Sequence, residues 1–555
     1  KLEKCLQTLI DRHESLRTSF AIENDTIVQK INDNIKFKIN INNTEISEDE
    51  FESVFKSFLK PFDLSKAPLL RAEAFKVKGG KFLLLVDIHH IVADGTSSQI
   101  LIDELCKLYN GNKLDDIKFT YKDFANFERS KIDSGEFKEA EVFWVNQFES
   151  DIPVLNMPTV YNRPAVQSFT GRKYKLAFDK ETSSKIIEFC KTYNVTPYMF
   201  LLSAYFVLLS KYSSQEDIII GSPVVGRNSA ELYNIFGMFV NTLPIRAQLS
   251  HQQSFKDFLM RIKEITLNDF KYQDYPLDEL ISKLNIKRDT SRSPLFDTLF
   301  IFQNNGMAEL SFNGIKSQYF IPDANISKAD LSLEIVPEND AFNFSFEYSD
   351  KLFSNNYIKD LAVHYVNIVQ AVLNNALLPI SSIEILSLEE KNALIYKVNN
   401  TQFNLPKNTS ITTLFEKQVE ETPYNIALVF KDKSLTYKEL NEKANSLAHY
   451  IRSLGIKRND IVGIMVNRSL EMIISMLAVL KSGAAYIPID PDYPQDRIEY
   501  MLSNSTAKIL LTTTKFMDST NSYGIRKINL EDNNIFNFPT SNLDFINSPD
   551  DLAYV

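Results

Sequence analysis

The sequence predicts a mixed α/β protein made of several compact units, and three observations support this fold class. A chain of 555 residues is too long for a single hydrophobic core, so three or four units are expected. Short apolar runs typical of buried strands alternate with segments whose apolar residues recur at helical spacing. Beyond about residue 410 this alternation becomes regular, which is typical of a parallel, doubly wound sheet.

The first third of the chain contains a strand and a helix that frame a distinctive loop. The apolar run 82–88 has the length of a buried strand. Leucines at helical spacing between residues 101 and 108 predict the helix. The hydroxyl side chains of Thr96, Ser97 and Ser98 are each suited to cap the beginning of that helix.

The middle of the chain predicts a second αβ unit from about Gly171. Thr196-Pro197 should begin a helix, because a proline at the first helical position loses no hydrogen bond. We expect a strand over residues 217–220 to end in the turn Gly221-Ser222-Pro223. A further strand is expected over residues 239–246.

The last part of the chain is separated from the rest by an irregular stretch. Residues 379–409, which contain Pro379, Pro406 and an Asn-Asn-Thr run, are interpreted as an interdomain linker. Thr436 and Glu439 then form a capping box that should begin a helix.

Composition argues against several classes of function. Acidic residues outnumber basic ones, 71 to 61, and the net charge of −10 argues against nucleic-acid binding, which needs a basic surface. Three separated cysteines without a CxxC pair indicate reduced thiols and a cytoplasmic location. The apolar stretches are too short to span a bilayer, so no membrane partner is expected. The abrupt start within an amphipathic segment indicates a fragment.

The segment 88–97, with the sequence IHHIVADGTS, is the strongest candidate for chemistry. His89 and His90 are two of only 6 histidines, and they follow the predicted strand. An imidazole has an ordinary pKa of about 6.5, which suits it to take a proton at neutral pH. Asp94 is expected either to hold the loop or to touch substrate. Gly95 is expected to let the chain turn where a side chain would clash.

The two histidines also have interpretations other than catalysis. Both could be buried, hydrogen-bonded structural residues, and this alternative stays open. A metal site is not expected, because adjacent strand residues point to opposite faces and cannot readily converge with Asp94 on one ion. The sequence contains no GxSxG, HExxH or GxGxxG motif, so hydrolase, zincin and dinucleotide-binding sites are not expected.

Several motifs, in order along the chain, resemble those of the condensation domain of nonribosomal peptide synthetases. The loop at 89–95 resembles the family signature HHxxxDG. The other motifs are RHESLRTSF at 12–20, YKDFA at 121–125, IGSPVVGR at 220–227, FVNTL at 239–243 and DYP at 274–276. Two later segments, LTYKEL at 435–440 and LKSGAAYIPID at 480–490, resemble the first motifs of amino-acid adenylation domains.

The resemblance implies an α/β fold with an α+β condensation domain, whose two lobes are each similar to chloramphenicol acetyltransferase and meet around a tunnel. It implies a first lobe at 1–165, a second lobe at 166–378, the linker at 379–409 and the beginning of an adenylation domain at 410–555. The sequence has no glycine-rich loop for ATP phosphates. ATP and Mg²⁺ are therefore expected only for a complete adenylation domain, and this polypeptide is not expected to activate amino acids.

The resemblance also implies a reaction and its partners. An upstream donor and a downstream acceptor peptidyl carrier domain bring their substrates on 4'-phosphopantetheine, and no cofactor is bound directly. The acceptor α-amine attacks the donor acyl or peptidyl thioester. His90 either removes a proton from the amine or holds the amine in line, and these two roles stay open. The rest of the synthetase chain is the other expected partner.

Supporting residues follow from the same motifs. A carboxylate at Asp94 needs a cation, and Arg227 is its expected partner, which would hold the active loop on the second lobe. Arg17 is expected to form an ion pair with another side chain rather than to bind a ligand. Asn241 and Ser97 are expected on the tunnel wall, where the amide of Asn241 would bind a substrate carbonyl. Hydrogen bonds to neighbouring backbone are the alternative for Asn241.

Related functions remain as alternatives. An epimerisation domain shares HHxxxDG but normally lacks an adenylation domain directly after it. Heterocyclisation relatives carry aspartate at the positions of His89 and His90, so that function is not expected here. A catalytically silent module that only docks carrier proteins is the third alternative. The presence of both His90 and Asp94 argues against it.

Overall fold

A computed structural model describes residues 1–284, 286–287, 289–303, 306, 308–322, 325–404, 409–518 and 524–555. The chain forms two compact units, Lys1–Val398 and Asn399–Val555. The predicted linker at 379–409 overlaps the first unit, because Ile380 and Ile383 are buried in the core of that unit. Residues 405–408 of this linker lie outside the described residues.

The strands of the first unit lie in separate sheets, two of which belong to its N-terminal part. A two-stranded antiparallel sheet pairs β1 with β2, and a three-stranded sheet has the order β3-β4-β5. A six-stranded sheet has the order β6-β11-β10-β9-β7-β8. The strands are β1 (Thr18–Glu23), β2 (Thr26–Ile31), β3 (Asn40–Ile46), β4 (Leu70–Val77), β5 (Lys81–Ile88), β6 (Gly171–Ala177), β7 (Asp217–Val224), β8 (Asn241–Gln248), β9 (Thr298–Phe302), β10 (Leu331–Glu338) and β11 (Ala341–Ser349).

The first unit contains eleven α-helices in its described residues. They are α1 (Leu2–Arg12), α2 (Phe51–Phe58), α3 (Gly95–Tyr109), α4 (Tyr121–Ser134), α5 (Lys138–Gln147), α6 (Lys180–Tyr193), α7 (Pro197–Ser213), α8 (Phe255–Lys271), α9 (Leu277–Lys283), α10 (Asn355–Asn374) and α11 (Leu388–Asn392).

The three-stranded sheet positions the histidine loop. Leu70 and Ala72 of β4 share a buried cluster with apolar residues of α1 and α3 on one side of the sheet. Leu83 and Leu85 of β5 belong to a second cluster with Phe58 of α2. The predicted strand at 82–88 and the helix after it are confirmed as β5 and α3. The loop between them therefore lies at the end of a packed sheet.

The six-stranded sheet carries the largest core of the chain. Helix α7 is buried along most of its length and begins as predicted, with the hydroxyl of Thr196 accepting from the N–H of Met199 at 3.2 Å. Trp144 of α5 is buried in this same core and donates to the carbonyl of Tyr272 at 3.0 Å. Trp144 precedes residue 165, the predicted end of the first lobe, and yet belongs to this core.

The turn predicted at Gly221-Ser222-Pro223 was wrong, because β7 continues through these residues to Val224. A Cβ on Gly221 would lie 2.5 Å from the Phe296 ring, so this glycine makes room for a side chain packed on the strand. Pro223 lies opposite Thr242 of β8 in the ladder. Long-range packing here overrides residues that locally favour a turn.

The second unit contains the predicted parallel sheet. Its four strands have the order β15-β14-β16-β17, and every adjacent pair is parallel. The capping box of Thr436 and Glu439 is confirmed at the beginning of α13. The strands are β12 (Ile426–Phe430), β13 (Lys433–Thr436), β14 (Ile461–Met465), β15 (Ala485–Pro488), β16 (Ile509–Thr512) and β17 (Arg526–Asn529). The helices are α12 (Ile411–Glu421), α13 (Tyr437–Ser453), α14 (Leu470–Ser482), α15 (Gln495–Asn504) and α16 (Thr514–Met517).

Across the described ranges, no single helix is long and apolar enough to cross a membrane, although α6 and α7 meet that test together across a bend of 104°.

Asp269 of α8 is an acid buried in the core of the six-stranded sheet. One of its oxygens accepts from the amide of Gln147 at 3.0 Å, and its Oδ2 has no hydrogen-bond partner in the described part of the chain. Burial raises the pKa of Asp269 to about 7. Since the folded pKa exceeds the unfolded value, protonated Asp269 stabilises the fold at low pH, and this contribution disappears as pH rises through about 7.

We therefore expect Asp269 to make the free energy of unfolding fall as pH rises from about 4 to about 7. Asp269→Asn should remove this slope, as measured by urea denaturation at several pH values. Asp179→Asn is the matched control. Backbone hydrogen bonds lower the pKa of Asp179, an exposed helix cap, so its contribution to the free energy of unfolding changes with pH in the opposite direction to that of Asp269. An unchanged slope in Asp269→Asn would show that Asp269 does not carry this pH dependence.

Candidate functional site

The two histidines lie just beyond β5, which ends at Ile88, so the alternation of strand side chains does not decide their directions. His89 is half-buried, and its ring meets the Phe62 ring edge-on at a centroid distance of 5.9 Å. Its Nδ1 accepts from the backbone N–H of Ile91 at 3.1 Å. His89 therefore shapes the loop. His90 lies in the turn that follows and is exposed, so its imidazole is accessible to a substrate.

Asp94 caps α3, and the prediction that Thr96, Ser97 or Ser98 would do so was wrong. The Oδ1 of Asp94 accepts from the N–H of Ser97 at 2.8 Å. A carboxylate just before the first helical residue reaches this otherwise unpaired N–H. The loop therefore passes directly from the histidines into a capped helix.

The second oxygen of Asp94 forms the expected ion pair with Arg227. The distance from Oδ2 to Nη1 of Arg227 is 2.5 Å, and both side chains are fully buried. The same oxygen accepts from the N–H of Phe239 at 3.1 Å. Arg227 also donates to the carbonyls of Leu232 and Ile235, each at 3.1 Å, and its guanidinium lies 4.1 Å from the centre of the Phe239 ring. Each charge is therefore paired and hydrogen-bonded, as burial requires.

Ser97 is buried and does not line an open surface, which differs from the predicted tunnel-wall contact. Its hydroxyl donates to the carbonyl of Gly237 at 2.7 Å and accepts from the N–H of the same residue at 2.9 Å. It also accepts from Arg227 at 3.3 Å. These partners use the hydroxyl completely, because it has one hydrogen and two acceptor positions.

Asn241 is likewise turned towards backbone and not towards a substrate. Its amide nitrogen donates to the carbonyls of Gln273 and Tyr275 at 2.9 and 2.8 Å. Its oxygen accepts from the N–H groups of Thr242 and Leu277. No amide hydrogen remains for a substrate carbonyl, so the alternative of backbone hydrogen bonds is the one observed. Asn241 joins β8 to the segment that contains the DYP motif.

Gly95 and Arg17 complete the predicted set. A Cβ on Gly95 would meet nothing within 4 Å, so the expected clash is absent and the glycine leaves open space at the beginning of α3. Arg17 lies 3.2 Å from Asp33 and 3.7 Å from Glu14. The expected ion pair of Arg17 within its own part of the chain is therefore present.

Sequence reasoning assigned no role to His13, Ser15 and Glu104, which also support this region. His13 is buried. Its Nε2 lies 2.6 Å from a carboxylate oxygen of Glu104 on α3, and its ring lies 5.2 Å, between centroids, from the Phe236 ring. Burial alone would raise the pKa of Glu104, but His13 and Arg12 hold it below its ordinary value. A signal was available, because Glu104 interrupts the apolar face of the predicted helix.

Tyr121 is a further support that the sequence motif contained without a role. Its hydroxyl donates to the carbonyl of Met238 at 2.7 Å. Burial, followed by the charges of Glu128 and Asp94, raises the pKa of Tyr121 to about 12, so the phenol remains a donor at neutral pH. The site as a whole is an exposed imidazole on a loop whose base is held by buried polar contacts. Such an arrangement suits proton transfer or hydrogen bonding to a substrate.

Two family models match this chain in succession. The model described as a condensation domain matches residues 1–395, and the model described as an AMP-binding enzyme matches residues 415–551. Gramicidin S synthase 2 of Brevibacillus brevis is 40% identical over 555 residues, which is all of this chain and 12% of that protein. Tyrocidine synthase 3 of Brevibacillus parabrevis is 41% identical over 556 residues, which is 8% of its length. The chain thus corresponds to a small part of these relatives.

Solved structures of low sequence identity share the fold. A four-domain nonribosomal peptide synthetase bound to AMP and glycine aligns with a TM-score of 0.76 and 22% identity, covering 95% of this chain and 41% of that one. The condensation domain of the Monacolin K polyketide synthase aligns with a TM-score of 0.60 and 21% identity, covering 68% of this chain and 90% of that one.

Proposed function

Because this chain belongs to the condensation-domain family and continues into the beginning of an AMP-binding domain, we propose that it forms a peptide bond between two carrier-bound substrates. The α-amine of an acceptor aminoacyl thioester attacks the carbonyl carbon of a donor acyl or peptidyl thioester. The new C–N bond replaces the C–S bond. The donor phosphopantetheine leaves as a thiol after the amine has given up a proton.

The exposed imidazole of His90, on a loop held by the buried pair of Asp94 and Arg227, is the observation that carries this proposal. An α-amine with a pKa of roughly 7.7–8.0 is mostly protonated at pH 7, so it must lose a proton before or during attack. His90 either takes a proton from the amine or holds it in line by a hydrogen bond. Holding two tethered reactants in line lowers the barrier by several kcal/mol in general.

The partners in this proposal are an upstream donor carrier domain and a downstream acceptor carrier domain, each bearing 4'-phosphopantetheine. Activation of amino acids with ATP and Mg²⁺ is assigned to a complete adenylation domain. The cysteines Cys5, Cys106 and Cys190 are free and buried, which fits a cytoplasmic location.

The proposal is tested by supplying a module that contains this chain with a donor thioester deuterated at its α-carbon and with an aminoacyl acceptor carrier. Mass spectrometry of the two carriers should show an amide product on the acceptor, with the deuterium retained. An epimerisation domain would instead lose the deuterium without forming an amide. A silent docking module would leave both carriers unchanged. Either of these last two outcomes rejects the proposed reaction.

A further inference from the structure

Residues 235–239, with the sequence IFGMF, form a segment that we name the arm. The arm lies in the connection between β7 and β8 of the six-stranded sheet, after Arg227 and just before β8. Side chains of the N-terminal part of the unit nevertheless bind its backbone. Ser15 donates to the carbonyl of Phe236, and Tyr121 donates to the carbonyl of Met238. Ser97 donates to the carbonyl of Gly237 and accepts from its N–H. Asp94 accepts from the N–H of Phe239.

The arm is also held by close packing. A Cβ on Gly237 would lie 2.1 Å from the ring of Tyr121, so the ring rests directly on the backbone. The Phe239 ring packs against Tyr121 and Phe124, at centroid distances of 5.2 and 4.5 Å. Phe236 is buried beside His13. The arm is therefore held in place by aromatic rings as well as by hydrogen-bonding side chains.

Two of the side chains that hold the arm belong to the histidine loop and the helix that it enters. Asp94 and Ser97 follow His90 closely in the chain, and both bond the arm at buried positions. A displacement of the arm therefore displaces the base of the loop that presents His90. Ser15 and Tyr121 hold the same arm from other elements, the segment after α1 and the beginning of α4.

We propose that Ser15 and Tyr121 are positioning residues for His90, acting through the arm. Their hydroxyls donate to the carbonyls of Phe236 and Met238, each at 2.7 Å. These two bonds fix the position of the arm relative to the N-terminal part of the unit. The inference rests on the proposed function for its effect on rate, whereas the coupling of arm and loop is a property of the folded chain alone. A displacement of about 1 Å at a reacting group can lower a rate by about 100-fold.

The test uses Tyr121→Phe and Ser15→Ala, with Tyr365→Phe as the matched control. Tyr365 is buried and also donates to a backbone carbonyl, that of Leu201 at 2.9 Å, but it lies in the core of the six-stranded sheet. Hydrogen exchange with mass spectrometry should show faster exchange in both the arm and residues 89–97 for the two variants, and in neither segment for the control. In the amide-forming assay, kcat should fall about 10-fold or more with little change in KM for the acceptor.

Two results would overturn this inference. Unchanged exchange in residues 89–97 would show that the arm does not hold the loop. Faster exchange with a kcat equal to that of Tyr365→Phe would show that the coupling does not position His90. If the unaltered chain forms no amide, the proposed function fails, and exchange alone then decides whether arm and loop are coupled.

Discussion

Replacing His90 with alanine is expected to lower the rate of amide formation by about 10² to 10⁴-fold, the usual contribution of a positioned acid–base group. The imidazole is exposed in the turn after β5, so its removal leaves the core and the buried pair of Asp94 and Arg227 intact. The temperature of unfolding and the binding of carrier domains should therefore remain unchanged. The measurement is mass spectrometry of the acceptor carrier, with calorimetry on the same preparations.

His251→Ala is the matched control for this variant. It removes a partly exposed imidazole from the same unit, 3.9 Å from Glu216, and should leave the rate unchanged. His90→Gln separates the two roles left open for His90, because glutamine forms hydrogen bonds but does not take up a proton near neutral pH. A rate as low as that of His90→Ala assigns proton removal, whereas a largely restored rate assigns alignment of the amine. Full activity in His90→Ala would refute the proposed role of this residue.

Replacing Arg227 with alanine is expected to lower the free energy of unfolding by about 3–5 kcal/mol, the general cost of removing one partner from a buried ion pair. The carboxylate of Asp94 would remain fully buried without its cation. The carbonyls of Leu232 and Ile235 would each lose a donor. The loss of stability should be at least as large as the loss of rate when both are expressed as free energies. Urea denaturation and the amide-forming assay measure the two quantities.

Lys107→Ala is the control, because Lys107 forms a solvent-exposed pair with Asp103 on α3. Exposed pairs of this kind contribute about 0.3–0.5 kcal/mol. The double variant Asp94→Ala with Arg227→Ala should be less destabilised than the sum of the two single variants, since it leaves no unpaired buried charge. A fully stable but inactive Arg227→Ala protein would instead assign Arg227 to the chemical step.

Most features that depend on neighbouring residues were predicted from the sequence, although the cap of α3 is Asp94 and not one of the hydroxyl residues that follow it. Thr196-Pro197 and the pair Thr436 and Glu439 begin helices as expected, because a cap acts within a few residues of its own position. The strand–helix alternation predicted the parallel sheet of the second unit for the same reason. One contact between distant residues, the pairing of Asp94 with Arg227, was also predicted, since a carboxylate in such a loop needs a cation and the motifs offered one.

Other features that depend on distant residues were missed. The segment Gly221-Ser222-Pro223 has the composition of a turn, but the Phe296 ring packs on Gly221 and the strand continues. For Asn241, a tunnel-wall position and hydrogen bonds to neighbouring backbone were both open from the sequence, and its amide binds backbone carbonyls more than thirty residues away. Neither partner could be identified from a local pattern.

By itself, the sequence determined that two histidines follow a buried strand and precede a helix, and its motifs indicated the family. Apart from the pair of Asp94 with Arg227, only the tertiary structure decided which groups the polar side chains around that loop contact. Ser97 binds Gly237, which is 140 residues away in the chain, and Tyr121 binds Met238 across 117 residues. The physical reason is that the periods of strands and helices arise from local backbone geometry. The partner of a buried hydroxyl, in contrast, is whichever distant backbone group the fold brings within 3 Å of it.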